Sequence, residues 1–378
     1  MIKIALIIDI KTNAGGGIGM CLTKLNYLKK IKNKNFLIIT TYKSTSLLLE
    51  KKYKINNIFY NKNSAINRII NFCSKKTNFF SSSFENFLLK KNINKIFFLN
   101  PSYLNLLIKK ISYIYTIWDL SHTEKNLDKL PEHNKIVKNI RDKCYQLAAK
   151  KASYIVIGTK ENKYKFIKKY KCKNKKLKIL KFKPYICTKK NIKLSKINTY
   201  YRKQKSFFLY PAQYWDHKNH KFLINFFEKY KDNKLIKNFN LICTGHDKGN
   251  FSYLKKIIKL KKLEKKIILL KYLEDDVLYY LYKQSIGLIF PSLIGSHSFP
   301  MHEAFYFRKP VFYNKKILSN EFKKFVYLID IKSIDSLYKK IKTHFSKNNS
   351  KVINNAKKKF EMLFNEKKII SDIKLILG

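Results

Sequence analysis

The chain has 378 residues, more than one hydrophobic core usually organises, so two domains of roughly 150 to 200 residues are expected. Hydrophobic residues make up 45% and aromatics 15%, which excludes a disordered chain. The formal net charge of +57 is almost all lysine, with arginine only at Arg68, Arg141, Arg202 and Arg308; nucleic-acid surfaces use arginine's planar fork, so nucleic acid is not expected as a partner, and a Lys/Asn/Ile compositional bias or attraction to an anionic membrane accounts for the charge.

The apolar run Ile2 to Ile10 is short and leads into a glycine loop, not a cleavage site, so it reads as a first strand instead of a signal peptide. Short apolar or β-branched runs then alternate with longer amphipathic segments, the pattern of βα units around a parallel sheet. Strands are predicted at Ile4 to Asp9, Phe36 to Thr40, Lys95 to Leu99, Tyr113 to Ile117 and Tyr154 to Ile157, with helices from Ile18 to Ile31 and from about Asn134 to Lys151. A lysine-rich, glycine-free segment from Lys171 to Lys205 interrupts the pattern, and a domain boundary is expected near residue 200. A second alternation follows, with strands at Phe207 to Tyr210, Asn240 to Thr244, Lys266 to Leu270, Ile286 to Phe290 and Val311 to Tyr313. Six scattered cysteines with no CxxC pair read as reduced residues of a cytoplasmic protein. No stretch reaches about 18 apolar residues, so membrane association would be peripheral, at the inner face.

In open α/β sheets ligands bind at the carboxyl ends of strands. Gly15, Gly16, Gly17 and Gly19 cluster between the first strand and the first helix, where backbone N–H groups favour an anion; a tight turn without ligand is the plainer reading. The spacing is not GxGxxG and no acid ends the second strand, so a nicotinamide cofactor does not match. Trp118-Asp-Leu-Ser-His122 follows the fifth predicted strand and offers Asp119 and His122 to a substrate hydroxyl, or a simple turn cap. In the second half, Tyr210-Pro-Ala-Gln-Tyr-Trp-Asp-His-Lys-Asn-His220 opens a helix and places Lys218 near its N-terminus, where it can hold a diphosphate. Thr244-Gly-His-Asp-Lys-Gly-Asn250 and Phe290-Pro-Ser-Leu-Ile-Gly-Ser-His-Ser-Phe-Pro-Met-His-Glu-Ala304 follow. Glu303 lies on a helix starting around Ser298, where a carboxylate can accept from a vicinal diol such as ribose or merely face solvent. Asp275-Asp276 reads as a helix start rather than a metal site.

Together these three strings resemble the retaining nucleotide-sugar glycosyltransferases of family 4, also called group 1, which have the GT-B fold. The resemblance covers most of the chain and is strongest from Tyr210 to Val311. It implies two Rossmann-like α/β domains facing each other across a cleft: residues 1–200 on the acceptor side, 201–378 binding the donor, and a final helix of about 366–378 crossing back onto the first domain. It also implies donor and phosphate binding by Gly15, Gly16, Gly17, Gly19, Lys218, Ser298, Phe299 and Glu303, with Gly245 and Leu273 in the nucleotide pocket. Catalytic contacts are carried over to Asp119, His122, Lys218 and Glu303. Three positions depart from the family's pattern: the first glutamate of its E-x7-E pair is Gly295, an arginine before the lysine is Ala212, and a strand-end histidine is Trp118.

The activity implied is hexose transfer, with retention of configuration and without metal or cofactor, from a nucleoside diphosphate sugar to a glycan or lipid-linked acceptor in cell-surface polysaccharide assembly. Leaving-group charge would be neutralised by protein cations and helix N-termini. A degenerate homologue, a sugar-nucleotide epimerase or phosphorylase on the same fold, and a lysine-rich nucleic-acid-binding protein are the alternatives.

Overall fold

A computed structural model describes residues 2–12, 16–64, 66–67, 81–123, 135–188, 198–203, 206–295, 298–346 and 350–378. Gly15 and Cys73 lie outside these residues. The chain divides into two compact units: Met1–Phe182 with Asn365–Gly378, and Lys183–Phe364. The division falls at 182/183, whereas the expectation was near 200. The reason is local, since Ile186 and Cys187 are already buried in the second unit's core.

The first unit is built on a seven-stranded sheet of order β3-β2-β1-β4-β5-β6-β7. Its strands are β1 (Lys3–Ile8), β2 (Asn35–Thr40), β3 (Ile58–Phe59), β4 (Lys95–Phe98), β5 (Ser112–Thr116), β6 (Tyr154–Ile157) and β7 (Leu177–Ile179). All pairings are parallel. The second unit has β8 (Phe207–Pro211), β9 (Asn240–Thr244), β10 (Ile267–Leu270), β11 (Gly287–Phe290), β12 (Val311–Asn314) and β13 (Tyr327–Ile329) in the order β10-β9-β8-β11-β12-β13, again parallel throughout. Helices cover both faces of such sheets, so the central strands are apolar in both directions: five consecutive residues of β1 and all four of β11 are buried.

Ten of the thirteen strands fall within a residue or two of their predicted positions. The three that were not anticipated, β3, β7 and β13, are edge strands of two or three residues, too short to carry a periodicity. Four of the helices begin where the sequence supplies a cap: Ser82, Thr159, Ser298 and Asn365 each accept a backbone N–H of the first turn.

The final helix, Glu366–Leu377, belongs to the first unit. It buries Ile369, Ile373, Ile376 and Leu377, at helical spacing, whereas Leu375 is exposed. Lys95 donates to the Leu377 carbonyl at 2.7 Å, and Lys30 pairs with Glu366 at 2.6 Å. Among the described residues no helix is long and apolar enough to cross a membrane.

Candidate active site in the second unit

Strand order reverses between β8 and β11, and in open parallel sheets the crevice beyond the carboxyl ends of such a pair is where ligands bind. The loops leaving these two strands carry Lys218 and the stretch from Gly295 to Glu303. Lys218 ends a 3-10 turn, Asp216–Lys218; Asn219 turns the chain through a left-handed conformation (φ 55°), and the helix His220–Lys229 begins. Tyr210 holds this turn from below by donating to the Lys218 carbonyl at 2.7 Å.

The two loops are tied to each other. The His217 carbonyl accepts from Leu293 N at 2.8 Å and from Ser292 Oγ at 3.2 Å, and Asn219 Nδ2 donates to the Pro291 carbonyl at 3.3 Å. Lys218 Nζ lies 5.6 Å from the centroid of Phe290, the last residue of β11. The ammonium is therefore carried at the switch point on a loop with little freedom to move, which suits a fixed anion-binding role.

Gly295 has φ +109° with open space around the position a Cβ would take, and its carbonyl accepts from Tyr313 at 2.8 Å. A glutamate in this backbone would be strained by its conformation, not by lack of room. Ser298 caps the helix Phe299–Tyr306, with Pro300 in the first turn, where a proline's missing N–H is not needed. Phe299 is the first residue of that helix and is half-buried.

Glu303 is half-buried on the same helix. Burial pushes its carboxyl up to about 7, against the pull of a hydrogen bond that Tyr282 donates to Oε2. Tyr282 comes from the helix Asp275–Gln284, and sequence reasoning did not single it out. Asp275 and Asp276 occupy that helix's first turn, where carboxylates favour the dipole. Gly245 sits at the end of β9 against the Ala212 carbonyl, 2.4 Å from where a Cβ would stand, so only glycine permits this approach of two loops. Leu273 packs, partly buried, on the second unit's core; beside it Tyr272 stacks flat on His246 at 4.5 Å.

In the first unit, strand order reverses between β1 and β4. Asp9, just past β1, exchanges hydrogen bonds with Asn100 past β4 and accepts from Ser102 at 2.6 Å, from Thr41 and from Lys62. Burial pulls the Lys62 ammonium down, but the Asp9 carboxylate outweighs it and holds the group at about 12. Gly16, Gly17 and Gly19 open the helix Gly16–Leu28; a Cβ at Gly17 would stand 2.7 Å from the Trp118 ring.

Asp119 and His122 follow β5 but face protein groups. The Asp119 carboxylate accepts from Arg141 at 2.8 Å and from Ser121 N and Oγ at 2.9 and 2.6 Å. Burial raises this carboxyl, and Arg141 with Ser121 more than offsets that, holding it at about 2. His122 is 3% exposed, its Nε2 lies 3.2 Å from Tyr170 Oη, and burial lowers it to about 4, so it is neutral at physiological pH. His122 is thus buried, whereas the Asp119 side chain is 46% exposed at the strand end with its Oδ1 engaged by Arg141 and Ser121, an arrangement the sequence string could not show.

Residues 191–359 match the family model for glycosyl transferases group 1. No curated protein matches the chain in sequence. Among solved structures, HepE of Anabaena, in complex with UDP and glucose, is similar with a TM-score of 0.74 and 14% identity, over 100% of this chain and 99% of that one. TarM of S. aureus, solved as a point mutant in complex with fondaparinux, α-GlcNAc-glycerol and UDP, gives 0.68 and 11% over 100% of both chains. WaaG, a glycosyltransferase involved in lipopolysaccharide biosynthesis, gives 0.67 and 12% over 97% of this chain and 98% of its own. The chain has the GT-B fold, and the part of it that is similar to the group 1 glycosyltransferase model lies within the second unit.

Proposed function

We propose that the protein transfers a hexose, with retention of configuration and without a metal, from a nucleoside diphosphate sugar to a glycan or lipid-linked acceptor in cell-surface polysaccharide assembly. The observation that carries this reading is the switch point of the second unit, where the Lys218 loop is latched to the loop leading to Ser298 and Glu303. Lys218 and the positive end of the helix that starts after Ser298, with the Phe299 N–H, supply the positive potential that a departing diphosphate needs. Glu303 offers a carboxylate to the ribose hydroxyls. Gly245 and Leu273 border the base, and the first unit, with its glycine loop, takes the acceptor side. Asp119, being held by Arg141, acts on the framework of that side rather than on the reacting atoms.

The structural neighbours solved with UDP and glucose, and with fondaparinux, α-GlcNAc-glycerol and UDP, lend support by analogy of fold. Membrane contact in this reading is peripheral and rests on the lysine surplus. The test is turnover of a panel of UDP-, GDP- and ADP-hexoses with and without acceptor, in EDTA, with the product's anomeric configuration read by NMR. Transfer with retained configuration in EDTA is expected. Epimerised donor without transfer, or dependence on added metal, would overturn the reading.

A further inference from the structure

We infer that Tyr282 is a positioning residue for the nucleotide, fixing the Glu303 carboxylate so that Oε1 is left for a ribose hydroxyl. The inference rests on the nucleotide-binding reading above and deepens it. Tyr282 is fully buried, and its phenol donates to Glu303 Oε2 across two helices, Asp275–Gln284 and Phe299–Tyr306. Its ring stacks on Phe307 at 5.5 Å and 9° between planes, and Tyr279 meets the same ring edge-on at 4.6 Å. The phenol cannot swing away without breaking that stack, so the carboxylate it engages has one oxygen pinned and a defined direction for the other.

The other ionisable groups around Glu303 do not share this role. Asp275, on the helix of Tyr282, acts on Glu303 by charge and disfavours its ionised form. Cys187, in the 3-10 turn Tyr185–Thr188 that contacts the helix of Glu303, is a buried thiol raised chiefly by burial and then by Glu303 itself. Among the described residues Tyr282 donates to the carboxylate, and it therefore favours the ionised form that accepts from a diol.

The experiment is calorimetry of the full chain with UDP, GDP, ADP and inorganic pyrophosphate from about pH 5.5 to 8.5, a window spanning the raised carboxyl, for wild type, Tyr282→Phe, Glu303→Gln and the double variant. Phenylalanine keeps the stack on Phe307, and pyrophosphate binding with an unchanged melting temperature certifies the fold. Tyr282→Phe is expected to weaken whichever nucleoside diphosphate binds by roughly 5- to 10-fold, as for one lost hydrogen bond to a charged group. Pyrophosphate affinity should not change, the pH midpoint of nucleotide affinity should move upward, and the substitution should add nothing in the Glu303→Gln background. Equal loss for pyrophosphate, an unmoved midpoint, or additive effects in the double variant would overturn the role. Wild type that binds none of the three nucleotides would instead overturn the nucleotide reading and, with it, this inference.

Discussion

The ammonium of Lys24 donates to the Leu99 carbonyl at 2.6 Å and to Thr116 Oγ1 at 3.0 Å inside the first unit, with 1% of the residue exposed. Burial lowers this lysine to about 7, and Cys21 beside it offsets only part of that shift. Between that value and the ordinary 10.5 the unfolded chain therefore binds a proton that the folded chain does not. Stability should rise with pH across the window from about 7 to 10.5, by about 1.4 kcal/mol per unit from this group alone, and level off below about 7. Lys24→Met should flatten that slope relative to wild type. Denaturant unfolding of both at about pH 7 and 9.5 measures it, and parallel slopes would show that Lys24 does not titrate in this window.

Lys218→Ala should weaken nucleoside diphosphate binding by roughly 1.5–3 kcal/mol, the range for a hydrogen-bonded charge, while the melting temperature holds. The loop keeps its shape through backbone and neighbouring groups, namely Tyr210 to the Lys218 carbonyl and Leu293 N to the His217 carbonyl. Calorimetry with UDP, GDP and ADP reads the effect; unchanged affinity for a nucleotide that binds wild type would remove Lys218 from the diphosphate site.

Gly245→Ala and Gly295→Glu separate two reasons for glycine. A Cβ at 245 would meet the backbone of Ala212 and Gln213 at 2.4–2.8 Å, so alanine must push two loops apart, at a cost of roughly 1–3 kcal/mol. At 295 nothing lies within 4 Å, and the cost comes from φ +109° alone, about 1–2 kcal/mol. Chemical denaturation should place both variants below wild type. A Gly295→Glu protein of wild-type stability would mean that the backbone there relaxes, and that a glutamate could be accommodated at this position.

How much of this was readable in the sequence depends on where the information lies. The central strands were legible because a strand buried on both faces must be apolar throughout, as β1 and β11 are. Edge strands such as β3 and β13 are too short to leave that imprint. Glycines, the Ser298 cap and Lys218 announce themselves locally, through turn and helix-start chemistry. Tyr282 does not: it reads as one apolar position among Tyr279, Tyr280 and Leu281, and its partner is 21 residues away on another helix. The bond between Lys62 and Asp9 spans 53 residues and was equally hidden. Asp119 was visible as a polar group after a strand, but only the fold shows that Arg141 has claimed its carboxylate.

At the chain end, Ile369, Ile373, Ile376 and Leu377 are buried in the first unit, far along the sequence from the strands of that unit, and full burial of each such side chain contributes roughly 1.5–3 kcal/mol. Lys95 and Lys30 add polar ties to the Leu377 carbonyl and to Glu366. Deleting the residues after Glu366 should therefore lower the melting temperature of the first unit and reduce activity, unlike trimming of a frayed end. Should the truncated chain not accumulate, Ile373→Ala tests the same packing in the intact chain, with a loss of about 2–5 kcal/mol expected for a buried isoleucine at 0% exposure. Wild-type melting for either variant would show that the terminal helix is not part of the first unit's core.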